Sequence, residues 1–380
     1  MGRQDEPYYR RIAWIMLLFL GALFLLSRAV PAKTFSESEN RMLAQLPAFS
    51  LDSLVRGRFT SGYEAYLADQ FTARDMWIGV KSDVDRLLGK KENGGVYLGK
   101  DGYLIQKFSE PKDEEVQKRI GAIRAFGQAT PNVRKFVMLV PTAAELLRDK
   151  LPRFAPASDE RKVMEQVKRS LGESAAWVNV YDALDSRKDE PLFYKTDHHW
   201  TTRAAYYGYR ELGRAMGFAA KAEQDYSVQE ATGAFYGSLY SRSGFRHLQP
   251  DRIEIYMPKE AEHVQVEYAE EGLSADSYYE PGNLGKKDKY AVFLNGNHPW
   301  VRIRTGFAGG RLLIVKDSYA NCLIPFLTEH FSEIDVIDPR YYSDSIVRFT
   351  KEHAISDMLL LYNANTFFED ASVVRLGDEE

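Results

Sequence analysis

Four short apolar runs do most to limit what this chain can fold into: KFVMLV (135–140), RLLIV (311–315), VI (336–337) and MLLLY (358–362). A strand with one wet face alternates apolar and polar residues. A strand that is apolar at nearly every position has to be covered on both faces. Parallel strands with helices packed on either side meet that demand. The segments before and between the runs supply the helices, at about 113–130, 159–170 and 202–216. In the last of these, Ala205, Tyr209, Leu212 and Met216 fall on one helical stripe. The pattern predicts an α/β fold with a mainly parallel sheet flanked by helices. With 380 residues, 44% of them hydrophobic and 13% aromatic, the chain has enough apolar material for one large core or two ordinary ones, which excludes disorder.

The amino-terminal quarter reads differently. Ile12 to Leu26 is an unbroken apolar run, with Arg3, Arg10 and Arg11 before it and Arg28 after it. Positive charge ahead of such a run holds that end in the cytoplasm. Extended to Val30, with Arg28 snorkelling, it approaches the roughly 20 residues of a membrane span. It reads as an uncleaved anchor, with a signal peptide cut after Val30-Pro31-Ala32 as the alternative. Both place the remainder outside the cytoplasmic membrane. The chain is thereby partitioned into a cytoplasmic tip and anchor (1–32), a linker with a helical segment (33–90) and an α/β domain (91–380). Within 51–88, Phe59, Tyr63, Tyr66 and Leu67 recur at helical spacing. Asn93-Gly94-Gly95, Val96–Leu98, the turn Lys100-Asp101-Gly102 and Tyr103–Ile105 form a hairpin-like unit. Residues 177–181 read as a further strand, 225–310 as strand- and turn-rich with strands at 252–256 and 292–294.

A net charge of −4 without a long basic run gives no footprint for nucleic acid. The single cysteine, Cys322, can form neither an internal disulfide nor a thiolate metal site, and reads as buried.

The chemistry concentrates in two words. Lys195-Thr196-Asp197-His198-His199-Trp200-Thr201 holds two of the seven histidines, and Lys316-Asp317-Ser318-Tyr319 ends the run at 311–315. Residues i and i+2 of an extended segment share a side, so Asp197 can fix the tautomer of His199 and leave its second nitrogen to take a proton. Trp200 is placed to pack against that ring, and Thr201 to cap the helix beginning at Thr202. Ser318 falls where a strand gives way to a helix, at the carboxyl edge where open α/β sheets bind ligands, and N–H groups at the helix start can face an oxyanion. These are the parts of a Ser-His-Asp triad in the order Asp, His, Ser. The bland alternative makes Asp197 a turn cap, His199 a core histidine and Ser318 a helix cap. A metal site on Asp197, His198 and His199, with His298 as third imidazole, lacks paired spacing such as HxxxH, and no metal or cofactor is expected.

The chain resembles the DHHW proteins and, more distantly, the alginate-type O-acetyltransferases with an SGNH-hydrolase-like domain. The likeness runs from about Phe35 to Tyr362. It is carried by Phe35-Ser36-Glu37 with Glu39-Asn40-Arg41, Asp69-Gln70-Phe71 with Arg74-Asp75, and Val96–Gly99 with Asp101-Gly102. Val140-Pro141-Thr142, Thr196–Thr201, Phe235-Tyr236-Gly237-Ser238, Phe293–Asn297 and Lys316–Asn321 continue it. The resemblance implies an SGNH-like domain with Ser318 as nucleophile, His199 as base and Asp197 as its orienting acid. It implies acetyl transfer onto an extracytoplasmic polysaccharide, with a multipass membrane O-acyltransferase as the donor-side partner. Asn295 or Asn321 is the side-chain amide for the oxyanion, each equally a turn residue, and Tyr319 and Arg340 are candidates to line the site. The residue between Asp197 and His199, and the Lys316-Asp317 pair before the serine, depart from the alginate-type pattern. An acetylesterase with the same three residues and a non-catalytic polysaccharide-binding or assembly protein are the competing readings.

Overall fold

The computed structural model describes residues 6–36, 41–156, 158–260 and 263–379. Arg3, the side chain of Arg28 and residues 37–40 of the polar linker lie outside them. The chain divides into two compact units: Met1–Lys90 with Gly244–Arg246, and Lys91–Ser243 with His247–Glu380.

The first unit opens with α1 (Glu6–Ala29). Its stretch Pro7–Ser27 is long and apolar enough to cross a membrane. Three helices follow: α2 (Leu51–Val55), α3 (Arg58–Asp69) and α4 (Arg74–Leu87). Ser50 begins α2 with a reciprocal capping box to Ser53.

The second unit is built on eight strands: β1 (Arg134–Val140), β2 (Ala176–Trp177), β3 (Val264–Tyr268), β4 (Leu273–Ala275), β5 (Trp300–Thr305), β6 (Arg311–Lys316), β7 (Glu333–Ile337) and β8 (Asp357–Asn363). They lie in the order β4-β3-β5-β7-β6-β8-β1-β2. From β7 to β2 the pairing is parallel, and β5, β3 and β4 add an antiparallel margin. The four apolar runs are the middle of this sheet. Phe136, Met138 and Val140 of β1 enter one core, with Leu312 and Ile314 of β6. Val137 and Leu139, with Leu313 and Val315, enter the other. Both faces are buried, which is why the runs show no alternation.

Three local expectations give way to tertiary context. Only Ala176 and Trp177 pair with β1, and the chain then turns, so Val180 and Tyr181 begin the helix Val180–Asp185 instead of extending a strand. Val292 closes a 3₁₀ turn (Lys289–Val292), Phe293 makes a single bridge to Tyr279, and Leu294 and Asn295 both adopt φ of 55°, which a strand cannot hold. After Ser318 the chain forms two 3₁₀ turns, Ser318–Cys322 and Ile324–Leu327, the second with Pro325 in its first turn. The hairpin forms as Val96–Leu98 against Leu104–Gln106, with Glu92–Asn93 added as a third strand.

Candidate active site

β6 lies between β7 and β8, with Val315 opposite Ile337 and Lys316 opposite Leu361. The residues just past these strands therefore emerge side by side at the carboxyl edge: Asp317 and Ser318, Asp338 and Arg340, and Asn363, the last residue of β8. Asp317 is buried and fixes the turn that presents Ser318. One of its oxygens accepts the Tyr319 N–H at 2.9 Å and the other the Asn363 N–H at 3.0 Å. Burial pushes its carboxyl up to about 6 against those two hydrogen bonds.

The segment 193–200 closes on itself through a bridge between Phe193 and Trp200. Its turn presents Asp197 and His199 to one side. Asp197 Oδ1 lies 2.5 Å from His199 Nδ1, and His199 Nε2 lies 2.7 Å from Ser318 Oγ. The three side chains form one hydrogen-bonded chain, with Asp197 and His199 buried and Ser318 half-buried. Burial alone would raise Asp197. The imidazoles of His199 and His198, together with the Ser238 N–H donated to Oδ2 at 2.7 Å, outweigh it and hold the carboxyl well below its ordinary range.

Trp200 does not pack on His199. Its indole N–H donates to the Tyr319 carbonyl at 2.9 Å, and its ring lies against Tyr319 and Gly208, tying the two words together through the core. The ring stacked on His199 is Tyr290, at 3.7 Å between centroids and 10° between planes. Thr201 caps the helix Thr202–Met216 through the Ala204 N–H.

His198 has its own partners. Nδ1 lies 2.7 Å from Ser238 Oγ, its ring is 3.9 Å from that of His199, and its carbonyl accepts the Tyr319 hydroxyl. Burial and the neighbouring His199 pull it down to about 3, so it stays neutral. Asp197, His198 and His199 each offer a ligand atom, all within 4.8 Å of one another. His298 is not among them. It bonds Glu271 and the Asn295 carbonyl and packs on Tyr268.

The remaining sequence candidates separate. Asn321 is buried and spends its amide N–H groups on the Gly296 carbonyl (3.0 Å) and Asn297 Oδ1 (3.3 Å), holding the 294–297 loop. Asn295 Oδ1 accepts from Asn283. Tyr319 is buried, 5.3 Å from the His199 ring. Arg340 grips the fully buried Asp338 through Nε (2.8 Å) and Nη2 (2.5 Å). The buried Lys316 approaches the same Asp338 Oδ2 at 3.7 Å, and burial pulls its ammonium down to about 8. Cys322 is enclosed, its thiol pushed up to about 12 by burial.

Sequence reasoning passed over the residues that support the loop. Asp251 accepts three hydrogen bonds, from the N–H groups of Lys195 and Thr196 and from Thr196 Oγ1. Gly237 donates its N–H to Thr196 Oγ1. A Cβ at Gly237 would fall 2.6 Å from Asp197 Cγ. The Phe235–Ser238 block carried the signal for Gly237 and Ser238; Tyr290 and Asp251 have no local signature.

A model of the DHHW protein family matches residues 88–337. The fold is similar to a DHHW family protein from Eubacterium siraeum, with a TM-score of 0.65 and 23% identity over 75% of this chain and 95% of that one. It is also similar to Bacillus cereus PatB1, with a TM-score of 0.60 and 20% identity over 70% and 95%. PatB1 with a sulfonyl adduct aligns likewise, with a TM-score of 0.60 and 18% identity over 72% and 95%. No curated protein matches the sequence.

Proposed function

The chain belongs to the DHHW protein family, and from that membership and the geometry at its sheet edge we propose that it is a Ser-His-Asp acyltransferase placing acetyl groups on an extracytoplasmic polysaccharide. The observation that carries the reading is the unbroken run of hydrogen bonds from Asp197 through His199 to Ser318. An imidazole held at Nδ1 by a carboxylate, with Nε2 on a serine hydroxyl, is the arrangement that activates a nucleophile. The resemblance of the two words to the alginate-type O-acetyltransferases supplies acetyl as the group and a sugar hydroxyl as the acceptor.

In the first half-reaction Ser318 Oγ attacks the acetyl carbonyl carbon while His199 Nε2 takes its proton. The tetrahedral oxyanion collapses, the bond to the leaving group breaks, and His199 returns the proton to that group. In the second half, a sugar hydroxyl gives its proton to His199 and attacks the acetyl-serine, and Ser318 leaves with the proton. Asp197 stays ionised throughout and steadies the imidazolium. The Ser318 N–H, carried on the turn that Asp317 fixes, is our candidate oxyanion donor. Donation by Asn321 would require it to release Gly296 and Asn297. The α1 helix anchors the protein with its α/β domain outside the cytoplasmic membrane, and a multipass membrane O-acyltransferase supplies the acetyl group.

Incubation with a chromogenic acetyl ester, followed by intact-mass spectrometry, tests this. An acetyl adduct is expected on the wild type and not on Ser318→Ala, whose turnover falls by about 10⁴-fold or more. Added oligosaccharides then separate transfer from hydrolysis, which distinguishes the transferase from an esterase. Absence of both adduct and turnover when the donor membrane protein is also supplied would sink the enzymatic reading in favour of a binding or assembly role.

A further inference from the structure

Exposed apolar side chains are unevenly distributed. Among the described residues, fifteen large apolar side chains are exposed between Met42 and Leu88. Among the described residues of 91–380 there are five: Phe154, Val228, Leu273, Phe307 and Tyr341. The excess belongs to the short helical unit that follows α1.

α4 shows the anomaly most clearly, because its amphipathicity is turned inside out. A helix on a water-soluble protein buries its apolar stripe. The inner face of α4 is small and polar: Gly79 and Ser82 are its buried residues. The Arg246 side chain lies so close over Gly79 that a Cβ there would meet its Nε at 2.8 Å. The outer face carries Trp77, Val80, Val84, Leu87 and Leu88, spaced as one stripe, with Leu87 87% and Leu88 79% exposed. Leu51, Leu54 and Val55 of α2 and Tyr63 and Leu67 of α3 are exposed as well, so the apolar surface spans three successive helices.

We infer that α2–α4 lie on the bilayer, with the α4 stripe sunk into the boundary between headgroups and acyl chains. This rests on the reading of α1 as a membrane anchor. Two further observations favour lipid as the occupant. The unit is continuous with α1, whose own apolar side chains are exposed throughout and which ends at Ala29, about twenty residues before α2. The surface also includes Trp77, Tyr63, Phe49 and Phe71, the aromatic types that populate the membrane interface. The stripe on α4 has near-heptad spacing, but its fourteen residues make only two heptads, too short a seam to hold a second copy by itself. Residues 41–90 contain seven Lys and Arg against six Asp and Glu, so the attraction is apolar and should survive salt and an uncharged bilayer.

The test uses the full chain in liposomes of phosphatidylcholine, labelled at one introduced thiol with an environment-sensitive fluorophore. Cys322 is buried, and the unsubstituted chain serves as the labelling blank. Labels at Leu20→Cys in α1, Val84→Cys in α4 and Val228→Cys in the second unit are compared, with and without lipids brominated on their acyl chains. The label at 84 is expected to emit to the blue of the label at 228 and to be quenched at least half as strongly as that at 20, at low and high salt alike. Adding Leu87→Asp and Leu88→Asp, at side chains that pack on little, should return it to a water-like signal. Quenching at 20 with a water-like signal at 84 overturns the inference and leaves the anchor standing. No quenching at 20 removes the anchor, and the inference with it. Energy transfer between copies that rises with protein-to-lipid ratio, without quenching at 84, makes the face a copy-to-copy interface and also overturns it.

Discussion

One hydrogen atom at position 237 decides whether Asp197 can sit where it does. Gly237→Ala drives a methyl group into the Asp197 side chain and displaces it, while the identity of every catalytic candidate is kept. We expect ester turnover to fall roughly 10²-fold, the scale of a small misplacement of a reacting group, with circular dichroism unchanged. Asp197→Asn should cost about 10⁴-fold, because an amide no longer selects the His199 tautomer. Ser238→Ala keeps the backbone N–H that Asp197 accepts and loses only the Oγ contact to His198, so it should be far milder. At this scale the meeting of Asp197, His199 and Ser318 in one hydrogen-bonded chain was legible because each belongs to a short word with a chemical meaning. Tyr290 and Asp251 were not, since their contacts join residues that no local pattern relates.

Between residue and molecule, the informative elements are the closed segment 193–200 and the turn after β6. They meet through the indole N–H of Trp200 and the Tyr319 carbonyl. Trp200→Phe removes that donor and leaves a void beside Gly208 and Leu323. A loss of about 2–4 kcal/mol is expected from urea unfolding, with slower acylation in the surviving fold. The elements that the sequence revealed are those whose pattern is set by burial on two faces, chiefly β1, β6 and β8. Those it missed, at 180–181 and 292–294, have strand-forming side chains but no partner strand, and the backbone follows pairing before propensity.

For the molecule as a whole, the buried acid Glu160 ties stability to pH. It accepts from the Thr142 N–H and Oγ1 at the end of β1, and burial pushes it up to about 8 from an ordinary 4.5. A raised carboxyl keeps its proton in the folded state after the unfolded chain has released it. Its contribution is therefore full below the ordinary value and declines as pH rises to about 8, by up to about 1.4 kcal/mol per pH unit. Asp317 acts in the same direction up to about 6. Glu160→Gln should flatten the change in urea midpoint between about pH 5 and about pH 8, and equal slopes in both proteins would show that the group is not responsible. The topology also imposes a schedule. Asp197 and His199 leave the ribosome more than a hundred residues ahead of Ser318, whose strand is clamped between β7 and β8, both made later still. Asp317 cannot complete its hold on the serine's turn until Asn363 arrives. A nascent or truncated chain that stops short of Asn363 thus carries the proposed acid and base with no serine held against them, and the proposed centre is completed only after residue 363 has been made.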